Sequence, residues 1–101
     1  EAAKRYAEIA RFIDLKGSTD EELVAALIAE LRGMNEKLNI PTCIKEYEGG
    51  IIDETEFNEK LPSVAELAVG DACTGSNPRP ITPAEMEKLL TCCYYDKEVD
   101  F

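Results

Sequence analysis

Residues 19–41 read TDEELVAALIAELRGMNEKLNIP, and this stretch decides the fold class. Thr19 and Glu22 hold the spacing of a capping box, in which a threonine hydroxyl and a glutamate satisfy the free amides of a helix start. Asp20, Glu21 and Glu22 place negative charge where the helix dipole is positive. Val24, Leu27, Ile28, Leu31, Met34 and Leu38 then recur at helical spacing. Asn39 follows, and Pro41 biases Ile40 away from α geometry, so the helix is predicted to end near Leu38.

The flanks repeat the pattern. Upstream, Ala3, Tyr6, Ile9, Ala10 and Ile13 fall on one helical face, and Asp14-Leu15-Lys16-Gly17-Ser18 is a loop. That first pattern is already running at Glu1, with neither a capping residue nor a methionine before it. The expectation is a chain cut from something longer, with a processed short protein as the alternative. Downstream, Thr42 to Tyr47 suits a short helical turn and Gly49-Gly50 a break. Asp53 and Glu56 form a second capping box, and Ile52 and Phe57 stand where a hydrophobic staple forms. Phe57 and Leu61 carry a third helix, which Pro62 is expected to end or kink because it cannot donate to the Asn58 carbonyl. A fourth helix is predicted from Pro62 or Ser63, anchored in the core by Val64, Leu67 and Ala68. Thr82-Pro83-Ala84-Glu85 opens the last one, with Thr82 as cap, Pro83 at the first helical position and Glu85 closing the box. Met86, Leu89, Leu90 and Cys93 form its apolar stripe, and Tyr94-Tyr95 with Val99-Phe101 make an aromatic tail expected to pack back on the bundle. No strand pattern survives. The prediction is one all-α domain over residues 1–101, a bundle of about five helices with short connections.

Composition bounds the function. At 101 residues and 11.2 kDa there is room for one small domain. The chain is 45% hydrophobic and 32% charged, the balance of a folded soluble protein. No apolar run approaches the roughly 20 residues of a membrane span. The net charge of −10 repels phosphate backbones and anionic bilayers, so neither nucleic acid nor a membrane is an expected partner. There is no histidine, which removes the commonest general base and transition-metal ligand. The four cysteines, Cys43, Cys73, Cys92 and Cys93, form no C-x-x-C pair and are expected as free thiols in a reducing cytoplasm.

Two places carry candidate chemistry. The acidic sets at 20–22 and 53–56 could be imagined around calcium, but they lack the EF-hand spacing, and helix capping accounts for them. The segment from Cys73 to Ile81 is a loop with Gly75, Pro78 and Pro80. Its simplest account is a helix stop, with Gly75 near a C′-like position, Pro78 as breaker and Cys73 as a small buried hydrophobe. Cys73 has neither a histidine nor a helix N-terminus to stabilise a thiolate, so it is not expected to be a nucleophile. Asp71 is out of place at a helix C-terminus, where the dipole disfavours a carboxylate, and the readings are a partner cation, an exposed end, or a residue that fixes the loop or contacts another part of the protein.

The string Asp71-Ala72-Cys73-Thr74-Gly75-Ser76-Asn77-Pro78-Arg79 resembles the D-x-C-T-x-x-N-P-R segment of the iron-dependent (group III) alcohol dehydrogenases, to which lactaldehyde reductase and the bifunctional aldehyde-alcohol dehydrogenases belong. Other pieces agree in order. Arg5-Tyr6-Ala7-Glu8-Ile9-Ala10 is similar to the family's helix before a G-x-T-D-E-E turn, here Gly17 to Glu22. Leu38-Asn39-Ile40-Pro41 is similar to its L-x-I-P turn, and Thr82 to Glu85 with Tyr94-Tyr95 to its last helix.

The resemblance implies the C-terminal part of the helical domain of a dehydroquinate synthase-like, iron-dependent alcohol dehydrogenase. In such enzymes an iron held by one Asp and three His polarises the alcohol or aldehyde oxygen, while hydride passes to or from NAD(P). A chain without histidine cannot supply those ligands. No catalytic residue, metal ligand or cofactor is therefore expected in these residues, and the segment alone is expected to be inactive. The implied partners are the nucleotide- and metal-binding parts of the same protein and a small alcohol or aldehyde, with homo-oligomerisation left open. Cys73 matches the family cysteine that lines the substrate pocket. Thr74, Gly75, Asn77, Pro78 and Arg79 match the motif and are expected to hold the loop. The competing expectation is a non-enzymatic helical interaction module. A closed surface would favour the module, and an exposed apolar face the dehydrogenase segment.

Overall fold

A computed structural model describes residues 2–49 and 52–101, with Glu48 described by its backbone alone. Gly50 of the expected Gly49-Gly50 break, Ile51, and the expected helix start at Glu1 lie outside the described residues. Among the described residues four α-helices form: α1 (Ala2–Phe12), α2 (Asp20–Lys37), α3 (Glu54–Gly70) and α4 (Pro83–Tyr95), with 3₁₀ turns at Ile44–Gly49 and Thr74–Ser76. No strand occurs among them. The chain divides into two compact units, residues 1–40 and 41–101.

The first unit is an antiparallel pair of α1 and α2. Ala7 and Ala10 are fully buried against Leu23 and Leu27, and Leu15 and Val24 pack beside them. The two alanines let the helix axes come close. Both helices stop in the same way. Asp14 (φ 61°) and Asn39 (φ 55°) take the left-handed conformation. This lets the Leu15 N–H reach the Ala10 carbonyl and the Ile40 N–H reach the Asn35 carbonyl, both at 2.9 Å. These are Schellman closures, with Asp and Asn in the place glycine usually takes. At the start of α2 the Thr19 hydroxyl accepts from the Glu22 N–H at 3.2 Å. The Glu22 carboxylate in turn accepts from the Ser18 N–H, one residue before the expected partner.

The second unit pairs α3 with α4, also antiparallel. Phe57 near the start of α3 stacks on Tyr94 near the end of α4, with centroids 4.0 Å apart and planes 15° apart. Tyr94 is 1% exposed, and its hydroxyl donates to the Ile52 carbonyl at 2.8 Å. Ala65 and Met86 complete the buried set.

The expected third and fourth helices are one helix, so the count is four, with Pro62 inside α3. An internal proline removes one ladder bond and costs about 3 kcal/mol or more. Here both halves of α3 are held by packing: Phe57 before the proline stacks on Tyr94, and Ala65 after it is fully buried. The Ser63 hydroxyl adds a bond to the Lys60 carbonyl at 2.9 Å in the turn that contains Pro62. Tertiary packing thus outweighs the break. The face of α3 is correspondingly shifted: Ala65 is buried, while of the expected anchors Val64 and Leu67 are exposed, Leu67 at 75%, and Ala68 is half-buried. Cys93, expected on the core stripe, is exposed, and Tyr94 takes that place.

Candidate functional site

The site is the turn that joins α3 to α4. A helix leaves its last carbonyls without internal partners. Many such ends use a left-handed glycine, but neither Gly70 nor Gly75 has a positive φ. The expectation of a C′-like role for Gly75 is therefore corrected. A Cβ at Gly75 would meet nothing within 4 Å. Side chains close this helix instead. The Thr74 hydroxyl folds back and donates to the Ala68 carbonyl at 2.6 Å. Asp71 leaves the helix in extended geometry, and its carboxylate accepts the Cys73 N–H at 2.8 Å. The carboxylate that is out of place beside a helix C-terminus is a loop acceptor.

Cys73 is held from both sides. Its N–H is bound to Asp71. Its carbonyl accepts the Ser76 hydroxyl at 2.7 Å and the Ser76 N–H at 3.2 Å. The backbone is pinned while the thiol is left exposed, against the expectation of a small buried hydrophobe.

The second half of the motif faces α4. The Asn77 side-chain amide donates to the Arg79 carbonyl at 2.7 Å. Asn77 itself is extended, as a residue before Pro78 should be. The Arg79 guanidinium donates to the Phe101 carbonyl at 2.8 Å and lies 3.8 Å from the Glu85 carboxylate. Asn77 and Arg79 thus each donate to a backbone carbonyl. The Thr82–Glu85 capping box then starts α4 with both reciprocal bonds in place. The backbone N–H of Thr82, then its hydroxyl, hold the Glu85 carboxyl below its ordinary range. Cys73, Thr74, Gly75, Asn77, Pro78 and Arg79 are therefore brought into one turn. Ser76 and Phe101 belong to it as well. Ser76 could be read from its place inside the motif, but no local signal connects Phe101 to Arg79 across 22 residues.

The acidic sets are engaged locally. Asp20 pairs with Arg11 at 2.5 Å, Asp53 caps α3, and Glu56 pairs with Lys60. Glu54 accepts the Tyr95 hydroxyl at 2.5 Å and Lys45 at 3.3 Å, and these two bonds lower its carboxyl from the usual range. This cluster lies at the other end of α3 from Cys73 and ties the 3₁₀ turn and the end of α4 to the start of α3. Among the described residues no three Cys, Asp or Glu side chains converge as a metal site. With no histidine in the chain, the donor set does not fit a catalytic iron. Nor is any helix among the described residues long and apolar enough to cross a membrane.

Residues 1–94 match the family described as Fe-containing alcohol dehydrogenase, C-terminal. The chain is 51% identical over 98 residues to an NADPH-dependent butanol dehydrogenase of Clostridium saccharobutylicum, covering 97% of this chain and 24% of that protein. It is 45% identical over 89 residues to an aldehyde-alcohol dehydrogenase of Clostridium acetobutylicum, covering 87% of this chain and 10% of that protein. Over 88 residues it is 30% identical to the lactaldehyde reductase of Escherichia coli K12, covering 85% of this chain and 21% of that protein. The chain thus spans a quarter or less of the length of these relatives.

Proposed function

Because the chain belongs to the Fe-containing alcohol dehydrogenase family, as its C-terminal helical part, we propose that it forms the substrate side of an iron-dependent, NAD(P)-linked enzyme interconverting a small primary alcohol and its aldehyde. The observation that carries this is the pinned Cys73. The contacts of Asp71 and Ser76 fix its backbone, while its thiol stays open. A cavity wall needs such rigid support. The thiol would contribute shape and polarity to the pocket, and no covalent step is assigned to it.

Iron and the nicotinamide cofactor would be held by parts of the protein other than these residues, whose donor set does not fit the metal. Residues 1–101 alone are accordingly proposed to be inactive, and both helical pairs to belong to one domain of a longer cytoplasmic enzyme. The apolar surface supports this. Phe12 is 88% exposed and Leu38 62% exposed, with Tyr6, Ile9, Ile28, Leu31 and Met34 also exposed. A self-contained module rarely leaves such faces open.

The test is to express the full-length protein that carries this segment. The expected result is NADH- or NADPH-linked reduction of short straight-chain aldehydes that is lost on chelation and restored by ferrous iron. Residues 1–101 alone should show none. A full-length protein without such turnover would remove the dehydrogenase assignment.

A further inference from the structure

We propose that the segment after α4, residues 96–101, is a strap that positions the Cys73 turn, its far end at Phe101 held by Arg79 of that turn. Arg79 donates to the Phe101 carbonyl at 2.8 Å, and its guanidinium lies 6.0 Å from the Phe101 ring centroid. Lys88 on α4 lies 5.5 Å from the same ring. Two cations therefore sit within cation–π range of one aromatic side chain. Before Phe101, the strap is fixed on α4. Asp96 takes the left-handed conformation, the Lys97 N–H closes onto the Cys92 carbonyl at 3.0 Å, and the Cys92 thiol lies 3.5 Å from the Glu98 carbonyl. Arg79, Phe101 and Val99 then border a cavity of about 120 Å³ beside Asn77.

The consequence lies in the order of the bonds. Asn77 is tied to the Arg79 carbonyl, and its own N–H to the Thr74 carbonyl. Thr74 is tied to α3, and Ser76 to Cys73. The turn is thus stitched to α3 at one end, and at the other it reaches the strap through Arg79. Releasing Arg79 removes the second anchor, so the turn over residues 71–79 opens more often while the Asp71 and Ser76 bonds to Cys73 remain as its local brace. Arg79 and Phe101 touch no reacting atom in this scheme; they are positioning residues for the substrate pocket. That last step rests on the dehydrogenase proposal, whereas the strap itself does not.

The experiment uses the full-length protein carrying this segment, with Arg79→Gln, Phe101→Ala and the aromatic-preserving Phe101→Tyr. Lys60→Gln, which breaks an exposed ion pair elsewhere on α3, is the control. Amide hydrogen exchange of peptides over residues 71–79 should quicken by about three- to tenfold in Arg79→Gln and Phe101→Ala, the scale of local opening when one exposed anchor is lost. It should stay at the wild-type rate in Phe101→Tyr and Lys60→Gln, as should peptides from residues 2–40 in all four. In turnover, the aldehyde KM should rise with kcat and the cofactor KM unchanged. Unchanged exchange over 71–79 in both disruptive variants overturns the strap. Quickened exchange with kcat and both KM values moving together reduces it to a structural brace and overturns the positioning role. An inactive wild-type protein removes the dehydrogenase proposal, and the exchange rates then decide the strap alone.

Discussion

The Thr74 hydroxyl donates to the Ala68 carbonyl at 2.6 Å, so a residue beyond the end of α3 closes the helix it follows. This back-bond replaces the left-handed glycine that ends many helices. It couples the end of α3 to the turn that carries Cys73, and the stability of one becomes the rigidity of the other. Thr74→Val keeps the shape and removes the donor. It is expected to cost about 0.5–1.5 kcal/mol, the net worth of one hydrogen bond, measured as a lower urea midpoint. Thr74→Ser keeps the donor and should recover most of that stability. Equal stability of the valine variant and wild type would contradict this role.

Two glycines are expected to respond with opposite sign. A Cβ at Gly17 would lie 2.9 Å from the Leu23 backbone nitrogen and 3.0 Å from the Leu23 Cγ, in a residue only 2% exposed. Neither backbone nor buried leucine can yield cheaply, so Gly17→Ala should destabilise by about 1–3 kcal/mol, the range for overpacking. Gly33 stands inside α2, where an added methyl group would meet nothing within 4 Å. Gly33→Ala should therefore stabilise by about 0.5–1 kcal/mol through backbone entropy. Thermal melts of the two variants check both signs.

The Lys45–Glu54–Tyr95 cluster makes a pH prediction. The Tyr95 hydroxyl, then Lys45, lower the Glu54 carboxyl from 4.5. A lowered acid contributes stability that is present above its unfolded pKa and lost as pH falls through the folded value. On the alkaline side, the bond to Glu54, then burial, raise the Tyr95 phenol from 10.0. Its stability is present below the unfolded pKa and lost as pH rises through the folded value. The tie between α3 and α4 should hold in between and loosen below about pH 4 and above about pH 10. Tyrosine near-ultraviolet circular dichroism follows it, because the chain has no tryptophan. Glu54→Gln should abolish the acid-side change in that signal; an unaltered acid limb would count against the cluster.

Much of this fold is legible in the sequence because local rules and tertiary contacts agree. The caps at Thr19, Asp53 and Thr82 each mark a helix start, and the turn at Asn39 marks an end. The failures share a cause. Pro62 obeys a local rule that packing on α4 overrides, which merges two expected helices. The same packing rotates α3 to bury Ala65 rather than Val64 or Leu67, and α4 to bury Tyr94 rather than Cys93. On α2, a stripe that begins at Val24 misses Leu23, since a one-residue shift is invisible until α1 supplies Ala7 and Ala10. At the site, the motif locates the turn but not its wiring. Asp71 reads as odd for a helix end and as a residue that could fix the loop, and the folded turn supplies the amide that its carboxylate accepts. Phe101 reads as part of an aromatic tail that packs back, but its partner Arg79 is invisible because it is remote in the chain.

The central claim is that Cys73 lines the substrate pocket of a dehydrogenase. The most direct test replaces Cys73 with Phe in the full-length protein and compares a series of aldehydes of increasing chain length. The account predicts a shift toward the shorter aldehydes, with the KM for longer ones raised on the order of tenfold, as a buried steric clash of about 1–3 kcal/mol gives, and the cofactor KM unchanged. An unaltered size profile, or equal effects on aldehyde and cofactor, would contradict it.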